Sequence, residues 1–238
     1  MSASRQPAAN PPAAASHPKS TGPGRPKDLG KRAAILEAAK RMFTQHGFDG
    51  VSMDQIAAEA GVSKLTVYSH FGDKDALFVA AVESHCDLSL PSSLFEPSPE
   101  TALRERLLEI AHAFYSMVTA PEAVAGHRML CSPQMAGTSL PRRFWEAGPM
   151  RVQGDFAALL ERRIAAGELD IPDVPRAAGQ FFALLKGEPH ACMVFGGPGP
   201  AAEEIQAHLA AAVDLFLRAY QAAPAPAAKS GKAAQTRR

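Results

Sequence analysis

Long apolar runs are missing from this sequence. Nowhere do eighteen consecutive apolar residues occur, which excludes a membrane-spanning helix of ordinary length. The opening MSASRQPAANPPAAASHPKS has no compact apolar stretch of the secretory kind, so the expected location is the cytoplasm and no membrane partner is expected. Cysteine is scarce as well. Cys86, Cys131 and Cys192 are an odd number without C-x-x-C spacing, which rules out a disulfide framework and the signature of structural zinc, and leaves reduced, mostly buried thiols as the default reading. His127 and Cys131 are four apart and His190 and Cys192 two apart, but neither spacing supplies three or four ligands, so no metal is expected. A Gly-rich phosphate loop, H-E-x-x-H and G-x-S-x-G are all missing. The adjacent acids Glu203 and Glu204 fall at a predicted helix start, where they complement its dipole. No catalytic residue and no cofactor is expected, and an enzyme is disfavoured.

What is present suits a globular chain: 46% of the 238 residues are hydrophobic and 21% charged, enough for two small cores. The net charge of +1 conceals opposed segments, with +6 over residues 1–48, −5 over 49–87, −4 over 88–221 and +4 from 222 onward. Basic ends around a mildly acidic body fit a polyanionic partner touched only locally, such as nucleic acid; the alternative is that terminal Lys and Arg merely keep Ala/Pro-rich ends in solution.

Helical periodicity runs throughout, and no convincing alternating strand is found, so the predicted fold class is all-α. Residues 1–24 and 222–238 are Ala/Pro-rich and are read as a disordered arm and a disordered basic tail. In the first helix Ile35, Ala38, Ala39, Met42 and Phe43 recur at helical spacing, and Gly47 stops it. Ser52 and Gln55 form a capping box for a second helix ended by Gly61; Ser63 caps a third, to about His70; Asp73 caps a fourth, to about 87. Residues 25–87 thus close one unit, 88–100 form a Ser/Pro-rich connector, and 101–221 carry a second unit. Its predicted helices are about 101–119, 121–131, 139–167 with a possible break near Gly148 and Pro149, 173–195 and 201–221.

The decisive segment is SMDQIAAEAGVSKLTVYSHFGDKDALF, 52–78: a helix, a short turn containing Gly61, and a second capped helix, which is how a helix-turn-helix reads in sequence. Ala57 is small where the two helices cross, and Val62 and Val67 lock the second onto the first. Lys64, Leu65, Thr66, Tyr68, Ser69 and His70 remain for an exposed polar and aromatic face.

With GRP at 24–26, the spacing through Phe43 and Gly47, and DQIAAEAGVSKLTVYSHFGDKDALF, the stretch 24–83 resembles the TetR family of bacterial transcriptional regulators. The body, in FWEAGPMRVQGDFAALLERRIAAGELD and AAGQFFALLKG, is similar to the C-terminal domain of the AefR-like branch. The resemblance implies that Ser52, Tyr68, His70 and Lys74 contact phosphates while Lys64, Leu65 and Thr66 face base edges, with Ser63 in the same surface. Leu65 departs from the small or polar residue often found there. Arg25, in GPGRPK, would be an arm reaching backbone or minor groove. Further implied are a double-stranded DNA operator, a small-molecule effector, and a homodimer through about 173–195 and 201–221, where Phe181, Phe182, Leu184, Leu185, Leu209, Val213, Phe216, Leu217 and Tyr220 exceed what one helix pair needs; the alternative is that some of them are ordinary core.

For the effector the candidate lining residues are Phe114, Met117, Met129, Phe144, Trp145, Phe156, Phe182 and Met193, since thioethers and aromatics suit an adaptable apolar cavity; each is also an ordinary core type. His112, His127 and His190 are candidate polar anchors. The expected function is a ligand-responsive, dimeric repressor of a palindromic operator. The alternatives left open are an interaction or adaptor protein on the same scaffold and a thiol-based sensor through Cys131 or Cys192, and repressor and activator are not separated.

Overall fold

The structure, a computed structural model, describes residues 28–96 and 101–222. The expected arm, with Arg25, and the basic tail beyond Ala222 lie outside the described residues. Helix α1 (Leu29–His46) starts where the Asp28 carboxylate accepts the amides of Gly30 and Lys31, and stops at Gly47, whose φ of 71° a side chain would resist. The Ser52–Gln55 capping box opens α2 (Met53–Glu59), Ser63 caps α3 (Lys64–Phe71), and Asp73 caps α4 (Lys74–Ser89). Between them Ile35, Ala39, Ile56, Val67, Phe71 and Leu77 close a first core.

The second set of helices is α5 (Leu103–Thr119), α6 (Pro121–Leu130), α7 (Leu140–Trp145), α8 (Arg151–Ala165), α9 (Val174–Val194) and α10 (Ala202–Tyr220). Among the described residues the fold is all-α, with a lone antiparallel bridge between Leu169 and Gln221. Phe156 stacks on Phe181 at 4.5 Å between ring centroids, and Phe216 meets Phe181 edge-on at 5.1 Å, at the centre of a core drawn from α5, α8, α9 and α10. Two expectations change in the folded chain. Phe181, Phe182, Leu185, Leu209, Val213, Phe216 and Leu217, counted as surplus for a partner, are buried in the chain's own core. What α9 and α10 turn outward is a smaller apolar face of Leu184, Leu215 and Tyr220 with Ala183 and Ala219, around a shallow groove. Of the three cysteines only Cys86 is buried; Cys131, just past α6, and Cys192, in the last turn of α9, are exposed.

Two predicted helices are interrupted. The segment 139–167 divides at Glu146–Met150, a π-helical turn between α7 and α8. Pro149 has no N–H to offer the Trp145 carbonyl, so the α pattern cannot run through it. Gly148 beside it lies so close to α4 that a Cβ there would stand 3.2 Å from Val82 Cγ1. Helix α9, predicted as one helix over about 173–195, kinks at Gly187 (φ 47°, ψ −158°). Here Pro189 deprives the Leu185 carbonyl of its helical donor, and His208 Nε2 of α10 takes that place at 2.9 Å. Helix α4 also continues to Ser89, into the expected connector.

The two cores meet through α4. Phe78 of α4, Phe48, Met135 and Leu140 are buried together, with Phe43 of α1, Val82, Met129 and Phe144 packed around them. Phe43, Phe48 and Phe78 lie 5.5 to 5.6 Å apart pairwise. Arg151 of α8 reaches Asp87 of α4 at 2.7 Å and the Glu83 carbonyl at 3.3 Å, and Arg143 of α7 stands 3.4 Å from Asp75.

Removing the imidazole that closes the α9 kink leaves the Leu185 carbonyl unpaired. His208→Ala is expected to lower unfolding free energy by about 1–3 kcal/mol. Gly187→Ala should also destabilise, because its Cβ would come within 2.8 Å of His208 Cε1 at a positive φ. Urea denaturation of the two variants checks this; a His208→Ala midpoint equal to that of the parent would show that the kink does not depend on this bond.

Candidate nucleic-acid interface and internal cavity

Helix α3 sits on α2 by burying Val67 and Phe71, which leaves its opposite face in solvent. Leu65 is 78% exposed and Tyr68 41%, so both side chains are available to a groove. Lys64 Nζ lies 2.9 Å from the Asp54 carboxylate of α2 and 5.9 Å from the centre of the Tyr68 ring. The hydrogen bond to Asp54 raises the Lys64 pKa, so the ammonium stays charged but is already partnered across the turn. A phosphate would have to compete with Asp54 for it.

The hydroxyls of the motif are occupied locally. Ser52 Oγ accepts the Gln55 amide at 3.2 Å while the Gln55 side chain accepts the Ser52 amide at 2.8 Å. Ser63 Oγ accepts the Thr66 amide and lies 2.8 Å from Thr66 Oγ1. Each cap thereby satisfies one of the amides that a helix N-terminus leaves without an intrahelical partner. His70 is half-buried against Phe71, with Nδ1 lacking a hydrogen-bond partner. Lys74 folds over the Phe48 ring at 4.2 Å, and burial lowers its pKa. Of the residues expected on this surface, Lys64, Leu65, Tyr68 and Ser69 stand open at its centre, Ser52, Ser63 and Thr66 are partly used as caps, and His70 and Lys74 are recessed.

A cavity of about 600 Å³ opens where α1 and α4 face α5 to α9. Of the candidate effector contacts, Phe114, Met117, Met129, Phe144, Trp145 and Phe182 line it. Phe156 and Met193 do not: Phe156 is fully buried in the aromatic core, and Met193 packs near Gly199. His112 and His190 are also outside the wall, whereas His127 is part of it. Periodicity did not reveal the contribution of the first unit, with Phe43, Phe48, Phe78, Val82 and His85 on the wall, nor that of Lys186. The available signal for Lys186 was a single cation closing the apolar run QFFALLKG.

His127 stands edge-on to Phe144 at 5.8 Å and to His190 at 5.1 Å between ring centroids. Burial, then the neighbouring His190 and Lys186, hold its pKa down to about 4 from an ordinary 6.5. Burial and Lys186 lower His190 as well. Both imidazoles are therefore neutral near pH 7. Burial pushes the Cys86 thiol up, which works against thiolate chemistry there. Among the described residues no three His, Cys, Asp or Glu side chains converge as a metal ligand set, and no helix is long and apolar enough to cross a membrane.

Residues 35–81 match the family model described as bacterial regulatory proteins, tetR family, and residues 105–222 the AefR-like transcriptional repressor, C-terminal domain. A solved structure of the Flavonoid-responsive Regulator FrrA is 32% identical, with a TM-score of 0.64 over 82% of this chain and 98% of that one. The chain belongs to the TetR family. A TetR-family regulator from Mesorhizobium loti MAFF303099 superposes with a TM-score of 0.69 at 28% identity, covering 81% of this chain and 98% of that one. Among curated TetR relatives, the HTH-type transcriptional regulator RutR of Escherichia coli (strain K12) is 32% identical over 141 residues, which is 57% of this chain and 59% of RutR. The match therefore spans under two thirds of that relative. TetR-family proteins are transcriptional regulators, not enzymes, and bind DNA operators and small-molecule ligands, usually as dimers.

The depressed His127 pKa has a thermodynamic consequence. As pH falls the unfolded chain takes up the imidazole proton first, near 6.5, and the folded chain only near 4. Stability from this group is complete above about 6.5 and is lost as pH falls towards about 4, by up to about 3 kcal/mol. Denaturant unfolding at pH 7.5 and 5 should show a larger acid loss for the parent than for His127→Asn; parallel losses would show that His127 does not resist protonation.

Proposed function

We propose that this protein is a ligand-responsive, sequence-specific transcriptional repressor that binds a palindromic operator as a homodimer and is released by a small amphipathic effector. In this reading residues 25–87 are the reading head and 101–221 the effector-binding and dimerisation body, working in the cytoplasm. The observation that carries it is the double use of α1 and α4: they hold the core under α3 and also wall the cavity. A ligand that spreads this wall shifts α4, and with α4 the angle at which α3 meets a groove. Two heads must match successive major grooves about 34 Å apart, so a small tilt in each costs much of the affinity. The effector acts by favouring the tilted population. FrrA is named as flavonoid-responsive, which supports a planar, partly polar effector for a relative of similar architecture.

Lys64, Leu65 and Thr66 read base edges in this scheme. Tyr68, His70, Ser52, Ser63 and Lys74 position the head on phosphates, together with the Arg25 arm. The outward face of Leu184, Leu215 and Tyr220 pairs with its counterpart, giving the dimer its four-helix contact.

Fluorescence anisotropy on DNA flanking the protein's own gene, against scrambled DNA at two salt concentrations, tests the reading. Saturable binding should keep its preference at higher salt, and Lys64→Ala combined with Tyr68→Ala should lose at least tenfold in affinity for the flanking DNA. Equal binding to both DNAs by parent and variant alike would favour an adaptor protein over a regulator. Leu215→Glu should turn dimers into monomers in sedimentation velocity and weaken operator binding in parallel. A dimer that survives it must be held elsewhere.

A further inference from the structure

The cavity wall carries one cation that the chain itself leaves unpaired. Three long cations line it, and two are already neutralised at its rim: Lys40 by Glu37 at 2.9 Å, with Ser84 at 3.1 Å, and Arg41 by Glu59 at 2.8 Å. The third is Lys186 of α9. Among the described residues no carboxylate lies within ion-pair distance of its ammonium, although Glu122 also lines the cavity. Lys186 is half-buried, and immediately beyond it the helix breaks at Gly187.

Two further polar atoms on this wall lack partners. His85 Nε2 is buried and makes no hydrogen bond, and His127 Nδ1 is buried without a partner in good geometry, with the Ala123 backbone near enough to act against the lowering of the His127 pKa. Their chemistry complements that of Lys186, since a neutral imidazole can donate through one nitrogen and an ammonium donates through three hydrogens. The positive field of Lys186 is felt at both His127 and His190, which are lowered in part by it. The rest of the wall is apolar and aromatic, with Phe114 and Phe182 4.5 Å apart between ring centroids and Phe144 beside His127.

We propose that the effector is an anionic amphipath, a flat aromatic acid or phenolate whose oxyanion is held by Lys186 with His127 donating beside it, while its apolar body lies against Phe114, Phe144 and Phe182. This rests on the reading of the cavity as the effector site. A half-buried ammonium with no protein partner gains a charge-assisted hydrogen bond when an anion joins it, so the charge both selects the ligand's sign and fixes which end of the ligand faces α9. A neutral molecule of the same shape fills the aromatic part and leaves Lys186 uncompensated. A cationic amphipath is repelled.

Calorimetric titration of the full chain with para-phenylbenzoate and with its neutral isostere para-phenylbenzamide tests the assignment. The carboxylate should bind at least tenfold more tightly than the amide. Lys186→Met should erase that preference while retaining affinity for the amide, which also shows that the variant's cavity is intact, and Lys186→Arg should keep the preference. Equal affinity of the parent for the two compounds, or a preference that survives Lys186→Met, overturns the anion assignment and leaves the cavity reading standing. Binding of neither compound to the parent overturns both.

Discussion

The packing of Phe78 against Phe43 and Phe48 is the contact on which the arrangement of the two cores depends. A head of four helices, two of them short, encloses little apolar volume, and its stability margin is correspondingly small. Phe78 is the residue through which α4 leaves the head and enters the body, where Met135 and Leu140 cover it. Tight packing transmits displacement better than it absorbs it, since a close-packed interface has few intermediate arrangements. The same triad carries Lys74, whose ammonium lies over Phe48, so a candidate phosphate contact is mechanically joined to the cavity wall.

Ion pairs at this boundary orient the aromatic contact. Arg151 holds Asp87 and the Glu83 carbonyl near the far end of α4, and Arg143 faces Asp75 near its start. These groups are partly exposed, where an isolated pair contributes little to stability. Their value lies in fixing the rotation of α4 about its axis, which determines the side chains it presents to the cavity. The π-helical turn before Arg151 serves the same contact, because Gly148 lets α4 approach so closely that a Cβ there would stand 3.2 Å from Val82 Cγ1 and make that side chain give way.

The α9 kink shows a local defect made good by tertiary structure. Pro189 removes a donor and Gly187 leaves the helical region, yet the free carbonyl of Leu185 is satisfied by His208 of another helix. Helix α6 is tied to the far side of the kink, where Arg128 donates to the carbonyls of Met193 and Val194 at 2.6 and 2.7 Å. These three long-range bonds hold α6, α9 and α10 as one frame at this end of the cavity. Lys186 faces that space from the turn just before the break.

Local signals in the sequence determined much of this molecule. Ser52 with Gln55, Ser63, Asp73 and Gly47 set helix ends, because a cap is a bond between near neighbours and depends little on the rest of the chain. The helix-turn-helix was legible for the same reason, and so was the exposure of Leu65 and Tyr68 once Val67 was assigned to the core. Apolar periodicity in α9 and α10 was equally plain, but it could not say against what those residues pack. Only the folded chain decided that Phe181, Phe216 and Leu217 face inward while Leu184 and Leu215 face out. It also separated Phe156, sealed among rings, from Phe114 and Phe182, which border space. Residues of one type at one spacing become core or cavity wall according to what lies across from them, and that is set by contacts between residues far apart in the chain. The wall drawn from α1 and α4, the neutral pair of His127 and His190, and the unpaired charge of Lys186 arise in this way: each is a relation between helices, and no single helix carries it.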